Sequence, residues 1–383
     1  MKMIIMMTND IEWKMVKLGD VCTMPTKTIS SNTFETRFYV GTENMLQNCF
    51  GIIDNEISIS TVRVREYKKD DILMSNIRPY LKKIWFSDKN AGCSTDVNIF
   101  RTNGKCFPKY LFHVLCQDDF FNYVNDNAIG TKMPRGDKSL IPNFFIPLPY
   151  KNGAPDLETQ KQIAQKLGDM DSLIAAKEKH LAKKRNLKVA TMQKLIKDEE
   201  GENWKKVKLG EVCKGKISSG KTTEYFDIGS FFVYGSTDVI GFTTKPKYEG
   251  EKILIARVGE NAGFLQKVSG KYGVTDNTLI FTPKEKINTE FIFFVLETQH
   301  LNDFAFGSGQ PLITGKQLYN LEIFLPYKNG TPDFNEQRRI ASILSDMDCE
   351  IAAIEKGIIK LQNLKTAMMQ KMFCFEDSDS SSE

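Results

Sequence analysis

The feature that most constrains this chain is an internal repeat. Residues Trp13–Cys22 (WKMVKLGDVC) return 191 residues later as Trp204–Cys213 (WKKVKLGEVC). A longer stretch, Leu148–Ile196, aligns without gaps on Leu325–Phe373, and more than half of its positions are identical. Solenoid arrays are a poor explanation, because they repeat every ~20 to 50 residues and keep the whole unit similar. The chain is therefore predicted to hold two copies of one structural frame.

Two stretches of little mutual similarity, Thr23–Pro147 and Lys214–Phe324, separate the repeated segments. The order along the chain is thus variable, constant, variable, constant. A duplicated frame whose modules diverge while its connectors stay alike indicates that the modules carry specificity. The predicted segments are an N-terminal extension (1–12), a first module (13–149), a first spacer helix (150–200), a second module (201–326), a second spacer helix (327–373) and a disordered acidic tail (374–383).

The constant segments are predicted to be long helices. Apolar residues of the second copy step alternately by four and three, a heptad seam that packs one helix on another. The seam consists of Ile340, Leu344, Met347, Ile351, Ile354, Ile358 and Leu361. The first copy keeps the pattern, with interruptions at Lys177, Lys184 and Lys188. Asp156 and Asp333 each follow a proline and are predicted N-caps, with Glu336 completing a capping box.

Chain geometry predicts the direction of these helices. A helix over Ile163–Leu195 is roughly 50 Å long. About eight residues lead from its end to Trp204 and span at most roughly 28 Å, so the second module starts at the far end of the first helix. The predicted fold is α+β: two mixed β-rich modules separated by two long antiparallel coiled-coil helices, with an internal pseudo-twofold repeat.

Heptads alone are equally typical of a dimerisation stalk or a core hairpin, and that alternative stays open. Polar positions that match between the copies favour a duplicated docking surface for two copies of one partner, because exposed residues need not match merely to pack. The predicted docking residues are Asp169, Asp171, Asp346 and Asp348.

Both modules are predicted to be β-rich, with a late helix over Pro108–Val124 and over Thr289–Phe304. Cations, aromatic residues and glycines alternate in Asp71–Phe86 and Glu251–Phe264, and a glycine-centred loop follows in each module. Arginine, asparagine and tyrosine can bond or stack with bases, and lysine pairs with phosphate. The candidates are Arg78, Tyr80, Lys82, Lys83, Lys132, Arg135, Tyr234, Ser236, Arg257, Asn261, Asn277 and Gln310. For each of them, a solvated surface residue is the open alternative.

Apart from one GxxxxGK[ST] match at residues 215–222, in a module predicted to be β-rich, enzyme and metal signatures are missing from the sequence. It contains no GxGxxG loop, no [ND]PP[FY] motif and no CxxC pair among its eight cysteines. We therefore predict neither a catalytic nor a metal site. No apolar run reaches about 18 residues, so no membrane span is expected, and the cysteine pattern favours a reducing cytoplasm. A formal charge of +4 neither requires nor excludes a nucleic-acid partner.

The chain resembles the specificity subunits of type I restriction-modification systems from about Trp13 to Phe373. The resemblance rests on the alternating layout, WKxVKLGxVC, DILMSNIRPYLKK, GTKMPRGDK and LPYKNGxPDxxxQxxIAxxLxDMD. One departure is that LPYKNG stands where the family often has a proline-rich junction followed by Glu-Gln, and only the second copy retains Glu336-Gln337.

The resemblance implies a non-catalytic subunit that determines DNA sequence specificity. Each module would be a target recognition domain that reads one half of an asymmetric bipartite site in double-stranded DNA. The helices would set the unread gap and dock two adenine methyltransferase subunits that use S-adenosylmethionine. A restriction subunit that uses ATP and magnesium would be a further partner. The alternative function is a coiled-coil adaptor whose two heads bind proteins rather than DNA.

Overall fold

The computed structural model describes residues 11–53, 59, 61–197, 199, 201, 203–307 and 311–373. These residues form two compact units, one of residues 11–175 with 359–373 and one of residues 176–358. The predicted tail (374–383) and most of the predicted N-terminal extension (1–12) lie outside the described residues.

The first unit contains three sheets of three or four strands and one two-stranded ribbon. Its strands are Glu12–Lys17, Cys22–Thr23, Thr28–Ser30, Arg63–Tyr67, Ile72–Ser75, Ile84–Phe86, Ala91–Cys93, Val97–Thr102, Ala128–Ile129, Arg135–Gly136, Phe145–Lys151 and Ala154–Pro155. Its short helices are Leu18–Val21, Pro108–Leu115 and Asp118–Asp126. The predicted single helix over Pro108–Val124 is wrong in one respect: Gln117 has an extended backbone (ψ 155°) and divides it in two.

The second unit also contains three sheets. Its strands are Trp204–Lys208, Ser218–Ser219, Phe231–Tyr234, Val239–Thr243, Tyr248–Glu249, Lys252–Ala256, Leu265–Val268, Lys271–Val274, Thr278–Phe281, Glu322–Lys328 and Thr331–Pro332. Its short helices are Leu209–Val212, Thr289–Glu297 and Gly315–Tyr319. The predicted helix to Phe304 ends earlier, because His300 adopts a left-handed backbone (φ 46°) before a 3-10 turn at Leu301–Phe304.

The two units repeat one pattern of strand pairing. In each, the strand that begins the repeat pairs antiparallel with the strand that precedes the long helix: Glu12–Lys17 with Phe145–Lys151, and Trp204–Lys208 with Glu322–Lys328. Each unit also holds a four-stranded sheet whose second and third strands are antiparallel neighbours, Val97–Thr102 beside Ile72–Ser75 and Thr278–Phe281 beside Lys252–Ala256. The modules therefore share a topology that their sequences do not reveal.

The repeated LPYKNG motif forms a hairpin that leads into each long helix. Its two turn residues have positive φ in both copies, 52° and 78° at Asn152 and Gly153, and 52° and 80° at Asn329 and Gly330. A two-residue type I′ hairpin requires positive φ at both positions, and Asn-Gly is its preferred sequence. The identity of this motif therefore has a structural cause, independent of docking.

The first long helix is Leu157–Leu195 and the second is Phe334–Phe373. Asp156 caps the first by accepting the Glu158 and Thr159 N–H groups (3.1 and 3.3 Å). Asp333 caps the second in the same way. The capping box predicted for Glu336 is wrong, because its carboxylate accepts two bonds from Arg339 (2.7 and 2.6 Å) instead.

Each long helix buries its first turns in the module that precedes it. Ile163 and Leu167 lie in the core of the first unit, and Ile340 and Leu344 in the core of the second. Each core is completed by the last turns of the other long helix: Met372 in the first unit, and Met192 and Ile196 in the second.

A buried glutamine joins each helix to its module. Gln160 Oε1 accepts the Phe107 N–H (2.7 Å), and Gln337 Oε1 accepts the Asn288 N–H (2.9 Å). Both glutamines have no exposed surface. Each satisfies the backbone donor just before a module helix, a group that would otherwise be buried without a partner.

Among the described residues, no helix combines the length and hydrophobicity needed to cross a membrane. Within those described residues there is also no cluster of three or more potential metal ligands.

Candidate nucleic-acid interface

Three separate segments of the first unit meet through backbone hydrogen bonds. The Asn76 N–H donates to the Asp96 carbonyl (2.8 Å), and the Arg78 N–H donates to the Pro134 carbonyl (2.8 Å). The Gly136 N–H then donates to the Asn76 carbonyl (3.1 Å). We call this arrangement the first junction. It brings together two candidate regions that lie more than 50 residues apart in sequence.

The second unit contains the same arrangement, here called the second junction. The Arg257 N–H donates to the Asn277 carbonyl (2.9 Å), and the Gly259 N–H donates to the Pro311 carbonyl (2.9 Å). The Ile313 N–H donates to the Arg257 carbonyl (2.8 Å). Because the bonds are made by the backbone, one frame carries unlike side chains in the two units.

Backbone angles match between the junctions as well. Arg78 has φ 51° where the second junction has Gly259 at 82°, and Lys82 has φ 50° where it has Gly263 at 95°. Left-handed backbone suits glycine and costs other residues about 1 kcal/mol or more. The first unit thus places two cationic residues at positions that favour glycine.

The first junction gathers some of the predicted contact residues and not others. Arg78 and Tyr80 are exposed, and so are Lys132 and Arg135 on the loop bonded to Arg78. Arg135 also lies 3.4 Å from the Asp96 carboxylate. Two predicted residues have partners elsewhere: the Lys82 ammonium pairs with Asp118 (2.6 Å), and that of Lys83 donates to the Thr42 carbonyl (2.7 Å).

Two cations that the sequence did not single out lie beside the first junction. Arg65 donates to the Val97 carbonyl (3.2 Å), and Lys138 donates to the Thr95 carbonyl (3.3 Å). Burial, and next the Arg65 charge, hold the pKa of Lys138 below its ordinary value. Two neighbouring positive charges repel each other, so a bound anion beside Arg65 and Lys138 would be stabilised. No local sequence motif points to Arg65, because the residues that lie near it in the fold are distant from it in sequence.

The second junction gathers five of the predicted residues. Ser236 Oγ donates to the Asn277 carbonyl (3.4 Å), which also accepts the Arg257 N–H. The Tyr234 carbonyl accepts the Thr275 N–H (3.1 Å) two residues before Asn277. Asn261 is exposed in the turn that follows Gly259. The remaining predicted residue, Gln310, lies outside the described residues.

The predicted docking carboxylates divide into two kinds. Asp171 pairs with Lys365 in the first unit, and Asp348 pairs with Lys188 (2.8 Å) in the second. Lys188 is one of the lysines that interrupt the predicted heptad seam, and its ammonium has a carboxylate partner here. Asp169 and Asp346 are exposed, and Asp169 accepts one bond from Gln165 (2.6 Å).

Lys188 makes two further contacts in the second unit. The Lys188 ammonium lies 3.2 Å from the Glu297 carboxylate and 5.2 Å from the centre of the Phe294 ring. In the first unit the position of Phe294 is occupied by buried His113, whose Nδ1 lies 3.9 Å from the Asp171 carboxylate. Burial lowers the pKa of His113 to about 4, although Asp171 opposes that shift.

The buried histidine should make the first unit sensitive to acid. Because folding lowers the pKa of His113 from 6.5 to about 4, the unfolded chain binds a proton within that range that the folded chain excludes. Stability is therefore expected to fall as the pH drops below about 6.5. His113→Phe, which copies Phe294, should flatten this pH dependence in chemical denaturation. His180→Ala, at an exposed histidine, is the control, and an equal flattening there would contradict the assignment.

The fold and these junctions define a duplicated recognition protein, with two domains of one topology and different exposed side chains. The family model described as type I restriction modification DNA specificity domain matches residues 10–184 and 201–363. The chain belongs to this family, whose members are specificity subunits rather than catalytic chains.

Individual relatives agree with the family match. The chain is 26% identical to the type I restriction enzyme MjaVIII specificity subunit of Methanocaldococcus jannaschii, over 92% of each chain. It is 25% identical to the type I restriction enzyme EcoprrI specificity subunit of Escherichia coli, over 63% of this chain and 62% of the relative.

Solved structures show the same fold. The type I restriction-modification S subunit from M. genitalium superposes with a TM-score of 0.64 at 17% identity, covering 97% of this chain and 98% of that one. A chain from a structural study of the assembly and conformational transition of the type I system superposes with a TM-score of 0.56 at 21% identity, covering 94% and 97%.

Proposed function

We propose that this chain is the DNA specificity subunit of a type I restriction-modification complex and that each recognition domain reads one half of an asymmetric bipartite site. The observation that carries the proposal is the pair of junctions. They share backbone hydrogen bonds but present unlike side chains, Arg78 and Arg135 in the first and Arg257 and Asn277 in the second. Unlike side chains on one frame favour two different half-sites.

The contacts to DNA are proposed to come from the residues around each junction. Arg78, Tyr80, Lys132 and Arg135 are the first domain's contact residues, and Tyr234, Ser236, Arg257, Asn261 and Asn277 are the second's. Lys82 and Lys83 keep a smaller role, in phosphate contact, because each already has a partner within the domain. Gln310 belongs to the same proposal through its sequence position alone.

We further propose that the two long helices form an antiparallel coiled coil with a pseudo-twofold repeat, which sets the gap between the half-sites. Asp171 pairs with Lys365, and Asp348 pairs with Lys188. Each residue of one pair lies 177 positions from its counterpart in the other, so the pairs exchange roles between the copies. Such reciprocal contacts are the signature of twofold pairing.

Two methyltransferase subunits are the proposed partners on the helices. Asp169 and Asp346 are exposed and occupy equivalent positions, as expected for one partner bound twice. The chemistry would belong to the partners, with S-adenosylmethionine in the methyltransferase and ATP with magnesium in a restriction subunit. A complex of this kind acts where the chromosome is, in the cytoplasm.

The test is to express the chain together with an adenine methyltransferase subunit of a type I system from the same genome and to map modified adenines across the host DNA. We expect one asymmetric bipartite motif with a constant unread gap. The methyltransferase expressed without this chain is the control and should give no such motif. A motif that persists without the chain, or DNA left unmodified by both proteins together, would contradict the proposal and favour a protein-binding adaptor.

A further inference from the structure

The shared frame gives a position-by-position correspondence between the two domains. Matching the hydrogen bonds pairs Asn76 with Arg257 and Arg78 with Gly259. Each junction thus holds one arginine in this segment, but the two arginines stand two positions apart. Local sequence comparison misses this, because the segments align only through their backbone bonds.

The first arginine occupies a position that glycine would fill at lower cost. Arg78 is exposed, and its φ of 51° is in the left-handed region. The equivalent residue, Gly259, is left-handed too and has open space where a side chain would start. A strained, exposed arginine that packing does not require indicates a role for its guanidinium outside the fold.

The second arginine lacks a partner for a buried donor. Among the described residues, Arg257 Nε and the neighbouring Thr278 Oγ are buried without any hydrogen bond. In the first junction the equivalent residue has an internal partner, since Asn76 Oδ1 accepts the Asn98 amide (2.7 Å), although Asn98 Oδ1 is itself buried without a hydrogen bond to the described residues. A desolvated guanidinium nitrogen without an acceptor is costly, so an acceptor from a bound ligand is expected there.

We propose that Arg78 and Arg257 are the specificity-determining residues of the two domains and that each donates to the O6 and N7 acceptors of a guanine in its half-site. A planar guanidinium matches these two acceptors in the major groove, and this is the commonest specific arginine contact. The two half-sites then differ in the placement of that guanine, because the arginines leave the same frame two positions apart. This inference rests on the proposed function.

The test uses the complete complex of this chain with its methyltransferase and maps modified adenines for each variant. Arg257→Ala should relax one position of the second half-site, with discrimination there falling about ten-fold to a hundred-fold, and leave the first half-site and the gap unchanged. Arg257→Lys keeps the charge but replaces the planar two-nitrogen fork with a single flexible ammonium, so it is expected to weaken discrimination at the same position. Lys284→Ala, at an exposed cation of the same domain, is the control.

Arg78→Gly tests the first domain with a second readout. It should relax one position of the first half-site while the thermal unfolding temperature stays equal or rises, because glycine relieves the left-handed strain. Asp70→Gly is the matched control: Asp70 is exposed with φ 69°, so it gains the same relief and should keep the motif.

The outcomes separate this inference from the proposed function. Absence of any bipartite motif with the unaltered chain contradicts both. An intact motif for Arg257→Ala and Arg78→Gly contradicts the inference alone. Equal weakening at all sites, with Arg257→Lys restoring full activity, assigns these arginines to phosphate and also overturns the guanine assignment.

Discussion

Exchanging the first recognition domain, residues 13–145, for that of another family member is expected to replace one entire half of the modified sequence. The second half and the gap should stay the same. The physical reason is that the first junction and its side chains lie wholly within the first unit, whereas the second junction is made only by residues 257–313. Mapping of modified adenines in the hybrid complex measures the change.

The matched experiment exchanges residues 204–324 and should replace the other half alone. Its boundaries fall in equivalent strands, Trp204–Lys208 and Glu322–Lys328, so the hybrid keeps the sheet that joins the module to its helix. A change in both halves after either exchange would show that the two domains do not read DNA independently.

The largest stability loss is expected from shortening two equivalent leucines. Leu167 and Leu344 have no exposed surface and lie in the cores of the first and second unit. Leu167→Ala or Leu344→Ala removes buried methyl groups and leaves a cavity, which typically costs about 2 to 5 kcal/mol. Urea denaturation of the chain should show this loss in the free energy of unfolding.

Leu187→Ala on the first long helix is the matched control, because its side chain is 52% exposed. It should change stability by no more than about 0.5 kcal/mol. Equal losses at Leu187 and Leu167 would mean that the buried stripe has been assigned to the wrong helix face.

The repeat carried most of what could be predicted from the sequence. It gave the two-copy arrangement, and the Pro-Asp pairs gave the helix starts at Asp156 and Asp333. Glu336 was assigned wrongly, because a capping box and a pair with Arg339 use the same short spacing and only the geometry separates them. The match of Asn152 with Asn329 follows from the turn, which requires a positive φ at that position in both copies.

The junctions could not be predicted, because every residue has a backbone carbonyl acceptor and every residue except proline has an N–H donor. The bond between Arg78 and Pro134 therefore leaves no trace in side-chain identity. The position of Arg65 beside Lys138 depends in the same way on strands distant in sequence. The sequence does show a glutamine repeated 177 positions apart, at Gln160 and Gln337. Only the structure shows that both are buried and bond to the module that precedes each helix.

The core of each unit contains residues from both repeats. Met372, from the second repeat, completes the core of the first unit, and Met192, from the first repeat, completes the core of the second. Under the proposed twofold pairing of the long helices, the chain corresponds to two copies of one repeat joined in a single polypeptide. Two separate copies of a single repeat would be identical and could read only a palindrome. Because both repeats lie in one chain, residues at equivalent positions, such as Arg78 and Gly259, can differ. The two half-sites of a target can then have different sequences.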